Sequence, residues 1–224
     1  MLILGFDTSN AYSSVSISNG SDILYAKRET VPNTQAERLI FMIEEALEKT
    51  NLTYKDLKYL AVSSGPGSFT GIRIALATAK GLLLAAPHIK PVAVNNFQMV
   101  NFRIRQQCMV FDYAIASVNA FRDQLYLQIF TKKGEYQEPV LVTLDEAKEI
   151  VSNLKGLKAL GGSGLHLLYN TCSDIPDNTV ILPRFAYPDA RFVCRVAHQH
   201  IAKHKENPNI EPLYIRPPDA KLPQ

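Results

Sequence analysis

The sequence predicts an α/β fold of two similar halves, each a mixed sheet flanked by helices. Three observations carry that prediction. Residues 2–6 are a continuous apolar run, the pattern of a strand buried on both faces. Residues 14–18 alternate Ser with Val and Ile, and Asn19-Gly20 supplies a hairpin turn into residues 23–28. A short apolar run, 59–62, meets an Ala/Leu-rich segment, 72–86, through Ser63-Ser64-Gly65-Pro66-Gly67-Ser68, which reads as strand, glycine turn and helix.

Taken in order, the chain opens with three antiparallel strands. Asp7-Thr8-Ser9 ends the first, because these side chains favour turns by bonding nearby backbone. A helix over 34–49 follows. Ala36, Leu39, Ile40, Ile43 and Leu47 share one face of it, and Thr34 with Glu37 makes a capping box. Phe41 falls off that face, among Glu37, Glu44, Glu45 and Glu48, either as a partner contact or as a lone exposed ring. After a strand at Leu60, the glycine turn launches a helix over 70–86, with Ser68 or Thr70 as its cap. Gly71, Ala75 and Ala79 form a stripe of small residues on it, open to packing on the chain's own sheet or on a helix of another subunit. Residues 92–94 add a strand.

The second half repeats this order less clearly. Residues 110–118 and 125–130 read as strands, and Thr143-Leu144-Asp145-Glu146 starts a helix with a second capping box. A strand over 157–160 runs into Gly161-Gly162-Ser163-Gly164, and a helix over 188–205 precedes a polar, Pro-rich tail. The chain therefore divides at 1–95 and 96–224, closely packed and without a flexible linker, although residue identity between the halves is too low to name a repeat.

With 224 residues, 46% of them apolar, the chain can bury a sizeable core. The net charge of +3, with no more than two adjacent Lys/Arg, permits RNA as a partner without implying it. Cys108, Cys172 and Cys194 are odd in number and widely spaced, which speaks against a disulfide framework or a zinc knuckle and fits a reducing cytosol. Asp7 interrupts the first apolar run, and the longest such stretch, 82–86, is far short of a membrane span. The expectation is a cytoplasmic protein with no membrane partner.

The glycine turn invites a phosphate-cradle reading, since free N–H groups at a helix start attract anions. Two strict patterns fail. A P-loop needs Gly-Lys-Ser/Thr, and Gly71 is followed by Ile72-Arg73. A dinucleotide fingerprint needs its third glycine one position earlier and an acidic residue where Lys90-Pro91 stand.

Asp7-Thr8-Ser9, the segment 35–40 (Gln-Ala-Glu-Arg-Leu-Ile), Ser64-Gly65-Pro66-Gly67-Ser68-Phe69-Thr70-Gly71-Ile72-Arg73, Ala79-Lys80-Gly81 and the tail segment 212–220 together resemble the TsaB family. These are glycoprotease-like proteins of tRNA threonylcarbamoyladenosine biosynthesis. The resemblance runs over the whole chain, densest in the first half. It implies two actin/hexokinase-like (RNase H-like) halves and a role in modifying adenosine 37 of tRNAs that read codons beginning with A. It places the chemistry, with ATP and metal, in partner subunits: TsaD, the transferase that pairs with TsaB, and TsaE, which joins a larger assembly. No cofactor is expected on the isolated chain, and tRNA contact is expected to be indirect or weak. The implied pairing uses helices 34–49 and 70–86, here through Ala36, Ile40, Phe41, Gly71, Ala75, Thr78, Ala79 and Leu82, and leaves open self-association of the isolated chain through the same helices. Arg73 and Lys80 are the basic residues there with partner or tRNA contacts in prospect.

The departures from the family bear on chemistry. Gln35 stands for a common His, Asn119-Ala120-Phe121 for Asp-Ala-Arg, and Gly162-Ser163-Gly164 for Gly-Asp-Gly. Where the transferase holds its ion with a His-x-x-x-His pair, this chain has Asn96 and Val100, and valine coordinates nothing. His200 and His204 have helical spacing but no third ligand, so no metal site is expected. Asp7, Thr8, Ser9, Gly65, Gly67 and Ser68 would be the remains of a nucleotide or phosphate site whose second acidic position is the neutral Asn119. Peptidase chemistry would need a base beside Ser63, Ser64 or Ser68, and no His lies in such a context. No residue is assigned a catalytic role. The competing expectation is an ATP-dependent enzyme of the same fold with weak hydrolysis or transfer of its own.

Overall fold

The computed structural model describes residues 1–30, 35–169, 175–182 and 189–216. The opening ribbon is β1 (Leu2–Asp7), β2 (Tyr12–Asn19) and β3 (Asp22–Thr30), paired antiparallel, with the turn where Asn19-Gly20 places it. Then come α1 (Gln35–Thr50), β4 (Tyr59–Ser63), α2 (Phe69–Ala85) and β5 (Lys90–Val94). β4 joins β1 in parallel and β5 joins β4, so the first sheet runs β3-β2-β1-β4-β5.

The second half contains α3 (Asn96–Gln107), β6 (Tyr113–Asn119), β7 (Gln124–Thr131), β8 (Gly134–Glu135), β9 (Val140–Thr143), α4 (Leu144–Asn153), β10 (Lys158–Gly161), α5 (Leu165–Leu168), β11 (Thr179–Ile181) and α6 (Ala190–Ala202). Its sheet repeats the first. β6 and β7 pair antiparallel as β1 and β2 do, β10 and β11 extend the sheet in parallel as β4 and β5 do, and β8 and β9 take the place of β3. The duplication expected from element order is present in the topology.

The last helix crosses to the first half, while α3 stays with the second. α6, the last helix of the chain, packs through Val193, Cys194 and Ala197 on Ile3, Ala61 and Val92 of the first sheet. α3 packs through Phe97, Val100 and Ile104 on Ala114, Ala116 and Ala159 of the second. α1 and α2 cover the other face of the first sheet, and α4 and α5 the other face of the second. Gly5 belongs to that packing, for a Cβ there would stand 2.5 Å from Cys194 Sγ.

Several local expectations change. α3, dense in Asn, Gln and Arg, was not anticipated, nor were β8, β9, α5 and β11. Residues 110–112 precede β6 instead of belonging to it. The buried face of α1 is Leu39, Met42, Ile43, Ala46 and Leu47, and Ala36 and Ile40 point outward. Thr34, and with it the first capping box, lies outside the described residues. The second box, Thr143 with Glu146, forms as read. The last helix starts at Ala190, capped by Asp189, and ends at Ala202.

Candidate functional site

Two places could carry function: the junction where the Asp7 turn meets the glycine turn, and the outer face of α1 and α2.

The junction is assembled from chain segments that end together. Ser68 caps α2, its hydroxyl accepting from the Gly71 amide at 3.2 Å. The Ser68 amide donates to the Ser9 carbonyl at 2.8 Å, and the Thr8 hydroxyl donates to the Gly71 carbonyl at 2.6 Å. The Asp7 turn thus lies on the start of α2. A Cβ at Gly71 would sit 1.8 Å from the Thr8 carbonyl oxygen, and one at Gly67 would sit 2.3 Å from that of Ser9. Gly65 has φ +93°, as a glycine turn requires, but Gly67 has no positive φ; it is glycine for lack of room.

Asp7, Thr8, Ser9, Gly65, Gly67 and Ser68 are therefore brought together, but against one another. The Ser68 and Gly71 amides that would greet a phosphate already have partners within the chain. Asp7 accepts from the Ser9 amide at 2.9 Å and from the Asn10 side chain at 2.8 Å. Its burial raises the carboxyl above the usual carboxylate range, against the pull of those bonds.

Asn96, at the start of α3, closes the junction from behind. Its side-chain amide donates to the Pro66 carbonyl at 2.6 Å and to Ser9 Oγ at 2.9 Å, and its Oδ1 accepts from Ser63 Oγ at 2.9 Å. Its backbone amide donates to the Gly65 carbonyl at 2.7 Å. Val100 is packed in the α3 core. A side chain with its donor and acceptor so engaged, one turn from a valine, does not fit a metal-ligand pair. His200 and His204 do not share a helix face either, since α6 ends at Ala202 and His204 has φ +52°.

The equivalent turn of the second half is built alike. Asn119 Oδ1 accepts from the Phe121 amide at 2.7 Å, and the Asn119 amide donates to Ser163 Oγ at 3.1 Å. The Ser163 hydroxyl is thus engaged by backbone.

The outer face of α1 and α2 is different in kind. Phe41 is 64% exposed, Phe69 56%, Ile40 41% and Leu84 85%. A groove of ≈ 410 Å³ between the two helices is lined by Ala36, Phe69, Thr70, Arg73, Ile74, Ala77 and Thr78. Of the residues expected at an interface, Ala36, Ile40 and Phe41 face outward, and Thr78 and Leu82 are half-buried at its edge. Gly71, Ala75 and Ala79 are corrected. They are buried in the first core, where their small side chains let α2 approach the chain's own sheet. Phe69, Ile74, Ala77 and Leu84 belong to the outer face instead; the spacing i, i+4 to the inward stripe says which residues share a face but not which way that face points.

Arg73 and Lys80 meet the chain's own tail. The Arg73 guanidinium lies 3.7 Å from the centre of the Phe69 ring and donates to Tyr214 Oη at 3.1 Å, and Lys80 pairs with Glu211 at 2.8 Å. The tail had not been read as part of any site.

Among the described residues no helix is long and apolar enough to cross a membrane. Residues 29–174 match the family model described as TsaD, tRNA N6-adenosine threonylcarbamoyltransferase. The chain is 25% identical over 225 aligned residues to the tRNA threonylcarbamoyladenosine biosynthesis protein TsaB of Buchnera aphidicola subsp. Baizongia pistaciae, covering 95% of this chain and 97% of that protein. A solved structure from Pseudomonas aeruginosa, described as similar to peptidase YeaZ, superposes with a TM-score of 0.80 at 21% identity, over 96% of this chain and 99% of that one. The fold extends to sugar kinases: a polyphosphate/ATP-glucomannokinase of Arthrobacter superposes with a TM-score of 0.55 at 12% identity, over 91% of this chain and 99% of that one. The chain belongs to the TsaD family, and within it resembles the TsaB members over nearly its whole length.

Proposed function

We propose that this chain is a non-catalytic subunit of tRNA threonylcarbamoyladenosine biosynthesis, which binds the transferase TsaD and activates it for the modification of adenosine 37 in tRNAs reading codons that begin with A. The observation that supports this reading most is the contrast between the two candidate places. At the junction that would hold a phosphate the Ser68 and Gly71 amides are already bonded within the chain, whereas α1 and α2 present Ile40, Phe41, Phe69 and Leu84 to solvent and share an open groove. The partner is a transferase of the same family, bringing the metal and ATP chemistry, with TsaE joining the assembly. tRNA meets this chain only weakly. The test is co-purification: the chain and the transferase, co-expressed, should elute as one complex, and separate elution at micromolar concentration would remove the reading.

A further inference from the structure

The tail after α6 runs back over the first half and crosses to the second. The Ala93 amide donates to the Asn207 carbonyl at 2.7 Å, Glu211 pairs with Lys80, and Tyr214 meets Phe69 and Arg73 on α2. The Leu213 amide donates to the Ser64 carbonyl at 2.9 Å, at the carboxyl end of β4. Three residues on, Arg216 reaches across to the other half, its Nη2 donating to the Ala120 carbonyl and to Gln124 Oε1, each at 2.9 Å. Leu213 and Ile215 pack on the α3 core between these points. One short segment thus touches the outer face of α2, the end of the first sheet and the turn after β6.

Tyr214 is 51% exposed, its ring centre 5.8 Å from that of Phe69, which lines the α1/α2 groove beside Arg73. A partner seated in that groove would contact Phe69, the ring against which Tyr214 packs. Half-exposed aromatics beside an arginine are the composition of binding hot spots. The tail's own anchors are modest: Arg73–Tyr214 and Lys80–Glu211 are exposed pairs of the kind that contribute little by themselves.

We propose that residues 207–216 are a strap that makes partner docking depend on the closure of the two halves: a partner helix seats against Tyr214 only while Leu213 and Arg216 hold the tail across Ser64 and Ala120. The inference rests on the docking reading above and adds its regulation. By linkage, docking in turn clamps the halves together.

The test combines affinity and amide exchange, using the full chain and the transferase. Arg216→Ala removes the anchor on the second half without altering the groove; it should weaken binding about tenfold, as should Tyr214→Ala. In the wild-type complex, peptides covering 207–216 and 119–124 should exchange more slowly than in the free chain. Wild-type affinity in Arg216→Ala, or unchanged exchange of those peptides on binding, overturns the strap. Should Arg216→Ala not fold, the exchange measurement on the wild-type chain decides alone. Ala77→Arg, inside the groove and away from the tail, tests the docking reading by itself: unaltered affinity there would defeat docking, whereas its loss alongside an indifferent Arg216→Ala would defeat only the strap.

Discussion

The Asn96 side-chain amide donates to the Pro66 carbonyl at 2.6 Å. That bond joins the start of α3, which packs on the second sheet, to the glycine turn of the first. Together with the bonds to Ser9 and Ser63 it makes Asn96 a fastener between the two halves, at the position where the family resemblance sets a transferase metal ligand. Asn96 serves as a polar rivet, buried and with its side-chain donor and acceptor satisfied.

Asn96→Ala should therefore cost stability. It strips hydrogen bonds from the buried Ser9 and Ser63 hydroxyls and from the Pro66 carbonyl, a loss of about 3 kcal/mol. In a chain of this size the melting temperature should fall by roughly 6–12 °C. A calorimetric shift under about 2 °C would show that the network carries little.

Two glycines of α2 should respond with opposite signs. Gly71→Ala drives a Cβ to within 1.8 Å of the Thr8 carbonyl, where only backbone can give way, and should cost on the order of 4 kcal/mol or leave the chain unfolded. Gly81 is exposed and a Cβ there meets nothing within 4 Å, so Gly81→Ala should stabilise by about 0.5–1 kcal/mol. Denaturant midpoints of the two variants check this; equal effects would contradict the packing of α2 on the Asp7 turn.

The inward and outward faces of α2 can be separated by one substitution each. Ala75 is fully buried, so Ala75→Arg should unfold the monomer. Ala77 is exposed in the groove, so Ala77→Arg should leave circular dichroism and melting unchanged while lowering transferase affinity at least tenfold. A folded Ala75→Arg chain would place α2 differently on its sheet.

Acid should loosen the seat of α1. Glu29 on β3 accepts from Arg38 of α1 at 2.7 Å and pairs with Lys27 at 2.8 Å, and Lys27 reaches Glu45 of α1 at 2.6 Å. The Arg38 and Lys27 bonds hold the Glu29 carboxyl at about 2. A depressed carboxylate contributes stability that is present above its unfolded value near 4.5 and lost as pH falls through about 2. The groups are partly exposed, so the contribution is about 0.5–1 kcal/mol. Glu29→Gln should flatten the stability profile between those two pH values and leave its shape unchanged above pH 6. An identical acid limb in wild type and variant would contradict the assignment.

Much of the first half was legible because its signals are local. The alternation in β2, the Asn19-Gly20 turn and the Ser68 cap each need only a few neighbouring residues, and the same is true of the Thr143/Glu146 box. α3 was hidden because polar residues, the half-buried Asn101 and Arg103 and the exposed Arg105 and Gln106, interrupt the apolar positions Phe97, Val100 and Ile104 that bury it. The direction of the Gly71/Ala75/Ala79 stripe was illegible in principle, since small residues admit any close backbone. The tail was missed because its bonds join residues more than a hundred positions apart, such as Arg73 with Tyr214 and Lys80 with Glu211.

The central claim is that the chain works through α1 and α2 on another subunit's chemistry. The most direct measurement is threonylcarbamoyl transfer to tRNA in a reconstituted system of the purified transferase and TsaE, supplied with an activated threonylcarbamoyl donor, with this chain added, omitted or carrying Ala77→Arg. Activity that is lost when the chain is omitted or carries Ala77→Arg, and that persists with Asp7→Asn, is the result predicted. Turnover of ATP by this chain alone, abolished by Asp7→Asn, would contradict the account.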